Sequence, residues 1–313
     1  MTFKTIVISG GGPTLIQVLA AVQECEKEQI IIMSELKKIY GTSAGAVIGV
    51  MISLGVDWDS LNNYIINRPW HEVFPIKIQT FIEAFYSKGL FSASTVEKCF
   101  EPLFKSKGIP LNITMREFYE LRGIEHHIFA FDVNTFEVDD ISYITHPDLL
   151  LITALHMTCA IPILFSPVCI DKKCYIDGGI ICNYPIHQCL TTHADIPGHE
   201  DHILGFRNQY GDNADLDEHE SLENELNINT NIADSGNIFE YGLNFIVKLI
   251  NNFNSKKKRI RAKHEIICKT QRVNLDTYKQ ALMSVETRRS IFSTGIESAQ
   301  TFITEYKARN DNV

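Results

Sequence analysis

Three short stretches carry residue types that could transfer an acyl group. Ser43 stands between Gly41 and Gly45 in the pattern G-x-S-x-G. A short extended run, Lys38 to Tyr40, precedes it, and a small apolar segment that reads as a buried helix, Ala44 to Leu54, follows. A serine on a sharp strand-to-helix turn has strained backbone angles, so the neighbours two residues away must lack side chains. Such a turn pushes the hydroxyl outward at a helix N-terminus, where free N–H groups favour developing negative charge. Alone, the motif also fits a plain helix cap, since serine is a preferred cap. The second stretch is Gly10-Gly11-Gly12, whose N–H groups can approach a substrate without side-chain interference. The third is Asp177-Gly178-Gly179, at the end of the short strand Cys174 to Ile176. Acyl transfer needs a nucleophile, a base and donors for an oxyanion. Ser43, Asp177 and the N–H groups of Gly10, Gly11 and Gly12 supply these roles. A carboxylate with a pKa of about 3.9 is a weak base. Held off water under an apolar cover it becomes more basic, and such a site suits an acyl chain.

The elements around these residues alternate. Thr5 to Ser9 is a compact apolar strand, followed by the glycines, with Pro13 at a first helical position. Leu15, Val18, Leu19 and Val22 then make one apolar helix face. Two β-turn-α units within about 55 residues predict a parallel sheet with helices on its faces. A helix starts at Asp57. The aromatic-rich segment from Arg68 to Phe104 is expected to form helices over the site, core packing being the ordinary reading of such a set. Thr114 and Glu117 fit a capping box. His127 to Val133 reads as a strand, Leu149 to Ala160 as a helix, Ile203 to Phe206 and His264 to Cys268 as strands, and Val285 to Ala308 as a closing helix.

The chain resembles the patatin-like phospholipases over about residues 5 to 206. Ser9-Gly10-Gly11-Gly12 with Ile16 to Ala21 looks like the family's glycine loop and first helix. Gly41-Thr42-Ser43-Ala44-Gly45-Ala46 is similar to its serine block. Ala154, Cys159-Ala160-Ile161-Pro162 and Phe165 to Val168 resemble its A-I-P block, and Tyr175 to Gly179 with Asn183 and Pro185 its aspartate block. The resemblance implies a three-layer α/β/α fold with a central, mostly parallel sheet. It implies hydrolysis of fatty acyl esters of phospholipids or other acyl lipids by a dyad of Ser43 and Asp177, with Gly10, Gly11 and Gly12 as oxyanion site and no metal ion or cofactor. The family usually carries Arg or Lys two residues after the third glycine, followed by another glycine; Thr14 and Leu15 stand there instead. A patatin-fold lipid-binding protein with weak or lost turnover is the alternative that this departure supports. An α/β-hydrolase triad recruiting His187, His193, His199 or His202 is permitted by chain order, and a dinucleotide loop lacks its third glycine.

Composition sets the frame. The 313 residues are 45% hydrophobic and 21% charged, as in ordinary globular proteins, and a net charge of −9 disfavours nucleic acid as a partner. The eight cysteines contain no C-x-x-C pair, and the N-terminus shows no leader, so free thiols and a cytoplasmic setting are expected. No run reaches the roughly 20 apolar residues of a membrane span. Expected organisation is a catalytic domain at 1–206, an acidic exposed loop or linker at 207–235 and a helical region at 236–313 packing on the catalytic domain. An amphipathic helix at 236–254, followed by Lys256 to Arg259, could rest peripherally on an anionic membrane; packing of its apolar face is the preferred expectation.

Overall fold

The computed structural model describes residues 2–75, 77–192, 196–210, 238, 241–242, 245–246, 248–249, 260–270 and 275–310. Of the expected acidic loop or linker at 207–235, residues 207–210 are instead the end of a strand that begins at Ile203, and residues 211–235 lie outside the described residues, as does the basic run 256–259.

Strands β1 (Thr5–Ile8), β2 (Lys38–Thr42) and β4 (Glu125–Asp132) run parallel, as the β-turn-α units require. Strands β9 (Ile203–Tyr210) and β10 (His264–Thr270) extend the parallel array on the other side of β1. Strands β5 (Glu137–Ile141) and β8 (Lys173–Asp177) each pair antiparallel with β4, and β7 (Val168–Ile170) pairs antiparallel with β8. Among the described residues the sheet has eight strands in the order β10-β9-β1-β2-β4-β8-β7, with β5 also on β4. The region beyond 236 therefore adds a strand to this sheet as well as helices to its faces.

Alternation along the central strands builds two cores, because successive side chains point to opposite faces. Ile6, Ile8, Ile39, Ile128 and Ala130 face one cluster, formed with α1 (Leu15–Lys27), α2 (Ala44–Ser53), α8 (Leu151–Cys159) and the closing helix Val285–Asn310. Val7, Tyr40 and Phe129 face the other, with Ile186 and Cys189 of α9 (Ile186–Thr192). The result is the three-layer α/β/α arrangement. The closing helix lies on α1 through Ala299 and Ile303, both buried. The Thr114–Glu117 capping box starts α7 (Met115–Arg122) as its spacing requires. At the N-terminal edge of the sheet His127 is clamped by Glu125 (Nε2–Oε1 2.7 Å) and Asp140 (2.9 Å to Nδ1) and stacks on Tyr40 at 4.1 Å.

Three features depart from expectation. Cys169 and Cys174 form a disulfide, whereas free thiols were expected. The β7–β8 hairpin sets them directly opposite each other, a consequence of register that their spacing in sequence does not announce. The aromatic segment divides: Phe100 and Phe104 are core, Trp70, Phe74, Phe91 and Phe165 form a chain of ring contacts, and Phe85 and Tyr86 face solvent. A second, two-stranded sheet joins β3 (Gly89–Phe91) to β6 (Ile163–Phe165).

Candidate active site

The three chemical stretches meet at the carboxyl ends of the central strands, where open α/β sheets place their ligands. Register explains the meeting. Thr42 of β2 pairs with Phe129 of β4, and Ala130 of β4 pairs with Asp177 of β8. β5 takes the other edge of β4 at both positions, so β8 continues the edge that β2 leaves at Thr42, and residues 43 and 177 follow one another along it. Ser43 Oγ donates to Asp177 Oδ2 at 2.6 Å across a separation of 134 residues.

Ser43 has φ +53° and ψ −126°, in the left-handed half of the map that a non-glycine residue occupies only under constraint. The constraint comes from crowding. A Cβ on Gly45 would come within 2.5 Å of the Ile8 carbonyl oxygen, and one on Gly41 within 2.7 Å of the Ala46 nitrogen. Both glycines are thus required by close backbone approach, as the motif predicts. Ser43 N–H donates to Thr158 Oγ1 at 2.8 Å, and Thr158 donates in turn to Phe129 O. This pins the elbow to α8 and β4.

Asp177 is 3% exposed. Burial pushes its carboxyl up to about 6, against the opposing pull of hydrogen bonds from Ser43 and from Gly179 N–H, which reaches Oδ1 at 2.7 Å. Its own N–H donates to Ala160 O at 3.0 Å. The acid is therefore ionised at neutral pH, yet basic enough to take a proton in a transition state. Cys159 lies against the pair; burial first and the Asp177 charge second hold its thiol far above the usual range. It stays a neutral thiol and does not compete as nucleophile. Among the described residues no histidine hydrogen-bonds to Ser43 or Asp177. His199 and His202 stand before the amino end of β9, away from the carboxyl ends where the site lies, and are hydrogen-bonded to Ile196 O and Thr2 O. His187 is exposed on α9, and His193 lies outside the described residues.

The glycine loop corrects one expectation. Gly10 N–H donates to Asn183 O at 2.9 Å, so it is spent and cannot serve an oxyanion. The Gly10 carbonyl in turn accepts from two carboxamides, Asn183 Nδ2 at 3.1 Å and Asn208 Nδ2 at 2.9 Å. Asn208 also holds Thr14 Oγ1 at 2.9 Å and donates its N–H to Ser9 Oγ at 3.0 Å. Thr14, where the family resemblance expects a basic residue nearby, donates to Gly11 O at 3.2 Å. The loop is thus ordered by neutral hydrogen bonds. Gly12 has φ +56°, and Tyr278 of the helix Leu275–Met283 occupies the space a Cβ there would need. Gly11 and Gly12 open a short helical turn, where the first N–H groups have no partner within the helix.

Asn208, Tyr278 and Thr158 were not singled out from sequence. Asn208 and Tyr278 lie in segments that carry no motif, far along the chain from the glycines they touch.

Comparison with known proteins places this geometry. The family model for patatin-like phospholipase matches residues 6–190. The chain is 27% identical over 193 residues to "Probable lipid hydrolase 463L" of Invertebrate iridescent virus 6, covering 61% of this chain and 64% of that protein. It is 27% identical over 197 residues to "Uncharacterized protein YqhO" of Bacillus subtilis, covering 58% of this chain and 64% of the relative. The match thus spans a little under two thirds of each relative's length. Among solved structures, VipD from Legionella pneumophila shares the fold, with a TM-score of 0.56 at 16% identity over 97% of this chain and 67% of that one.

Proposed function

We infer what this protein does from one premise: the chain belongs to the patatin-like phospholipase family. We propose that it is a serine acyl hydrolase of lipid esters, working through Ser43 and Asp177. The observation that carries the reading is the 2.6 Å hydrogen bond from the Ser43 hydroxyl to a buried carboxylate of raised pKa. The name of the viral relative, a probable lipid hydrolase, supports the same substrate class.

In the proposed sequence Asp177 takes the Ser43 proton as Oγ bonds to the acyl carbonyl carbon. The N–H groups of Gly11 and Gly12 receive the developing oxyanion, and the dipole of α2 at Ser43 favours the same charge. Collapse breaks the ester C–O bond, and the proton on Asp177 passes to the departing alcohol or lysolipid oxygen. Water then gives a proton to Asp177 and its oxygen to the acyl carbon. Breakdown of this second intermediate returns the proton to Ser43 Oγ and frees the fatty acid. Gly10 keeps a part as the fixed root of the loop. No helix among the described residues is long and apolar enough to cross a membrane, and lipid is proposed to reach the site from a surface the protein touches.

The test is a hydrolysis panel of phospholipid, lysophospholipid, triacylglycerol and a short p-nitrophenyl ester. Fatty acid release from at least one glycerolipid, reduced by about 1,000-fold or more in Ser43→Ala and Asp177→Asn, is the expected result. Failure of the wild-type protein to cleave any of the four esters contradicts the reading.

A further inference from the structure

Two helical segments present large apolar side chains to solvent. Helix α5 (Ile78–Ser87) exposes Ile78 at 83%, Ile82 at 55% and Phe85 at 82%, spaced as one continuous stripe, with Tyr86 beside it at 82%. Ala84 is buried on its inner side. The described helical residues of 238–249 repeat the arrangement, with Ile238 at 79%, Tyr241 at 52% and Phe245 at 46% exposure. These side chains stand out from the molecule instead of packing on it as expected.

Both segments are moored to the same small sheet. Helix α5 packs on β3. Gly242 approaches β6 so closely that a Cβ there would stand 2.5 Å from Ile163 Cδ1. β6 begins three residues after Ala160, whose carbonyl holds the Asp177 N–H. The moorings therefore start within about 11 Å of extended chain from the wall of the candidate active site.

Apolar side chains exposed together on neighbouring elements mark an interaction surface. The charges around them select its occupant. Lys77 and Lys88 bracket α5 and Lys248 ends the second segment's described face, all three exposed. Glu83, the carboxylate carried by α5, already accepts from Gln79 Nε2 at 2.9 Å. Apolar side chains collared by lysines match acyl chains below anionic headgroups, with the Tyr86 and Tyr241 hydroxyls suited to the boundary. We propose that α5 and the described helical residues Ile238, Tyr241, Phe245 and Lys248 form one docking face that seats the protein on an anionic bilayer, beside the Ser43 site. The proposal rests on the lipid hydrolase reading for its purpose. The chain's net charge of −9 repels an anionic surface as a whole, so apolar insertion carries the binding and the lysines orient it.

The experiment uses the full chain bearing Ser43→Ala, floated with vesicles of equal phosphatidylcholine and phosphatidylglycerol. Binding is expected, and Ile78→Ser/Phe85→Ser and Ile238→Ser/Tyr241→Ser should each weaken it at least about tenfold. Because these side chains are exposed, Tm should hold. Should it fall, Lys77→Gln/Lys88→Gln serves instead, and should abolish the preference over pure phosphatidylcholine vesicles. In the active protein the serine variants should keep hydrolysis of a soluble p-nitrophenyl ester and lose hydrolysis of vesicle lipid. Vesicle binding that survives the substitutions, or no binding by the Ser43→Ala protein, overturns the proposal. So does a dimer dissolved by the same substitutions without vesicle binding. Face-dependent binding with no ester cleaved would instead reject the hydrolase reading and leave the docking face standing.

Discussion

Asp177→Asn should stabilise the protein more at neutral pH than at acid pH, relative to wild type, because the buried carboxylate carries an electrostatic cost. Burial raises the acid from its ordinary 3.8 to about 6. At 1.36 kcal/mol per unit, the shift of about two units corresponds to about 3 kcal/mol. Below about pH 3.8 the acid is neutral in both folded and unfolded chains, and its ionisation costs the fold nothing. Between there and about pH 6 the unfolded chain has lost a proton that the folded chain keeps. Stability from this group therefore falls as pH rises through that window, by about 1.4 kcal/mol per unit, and levels off above it. The carboxamide of the variant does not ionise. The stability difference, variant minus wild type, should thus grow by roughly 2.5 kcal/mol between pH 4 and pH 8, whatever constant offset the altered hydrogen bonds add. Urea unfolding of both proteins at four pH values in this range reads it directly. The same titration should appear in kcat/KM of the wild type, which is expected to rise up to tenfold per pH unit below about 6 and to plateau above. A stability difference independent of pH, with a rate plateau extending below pH 5, would refute the argument that Asp177 is a buried, activated base.

Three further outcomes follow from the same geometry. Asn208→Ala removes one of the two carboxamides on Gly10 O and the donor to Thr14; kcat should fall about tenfold or more with little change in KM or in the kinetic pKa near 6, as steady-state pH profiles will show. Gly12→Ala forces a Cβ into a residue at φ +56° against Tyr278; reaction with a serine-directed probe should drop by at least about 100-fold, a single missing oxyanion donor being worth that much. Burial, the largest single influence on His127, lowers its pKa, but the hydrogen bonds to Asp140 and Glu125 and the charges of the two carboxylates together hold it above its ordinary value. Its contribution is fully present below about pH 6.5 and is lost as pH rises through the raised folded value. His127→Gln should flatten the Tm profile above that point.

The parts of the site legible in the sequence were those in which backbone geometry dictates residue type. Gly41 and Gly45 are demanded by contacts with Ala46 and Ile8, so the elbow is written in local spacing. Asp177 ends a strand and is followed by glycines, which again is local. The parallel strands announced themselves as β-branched apolar runs between glycine turns. What escaped depends on contacts between distant segments. Asn208 and Tyr278 reach Gly10 and Gly12 only through the placement of β9 and the helix Leu275–Met283 on the sheet. The Gly10 N–H is spent on Asn183 O, 173 residues away, and no property of three glycines reveals which donor will be spent. Strands of three residues such as β3, β6 and β7 are too short to show periodicity, so the Cys169–Cys174 pairing was hidden with them.

Intact-mass analysis after treatment with a fluorophosphonate bears most directly on the Ser43–Asp177 pair. The account predicts a single adduct on the wild-type protein, mapped to Ser43, absent in Ser43→Ala and formed at least about 1,000-fold more slowly in Asp177→Asn. An adduct on another residue, or labelling of the Asp177→Asn variant at the wild-type rate, would contradict it.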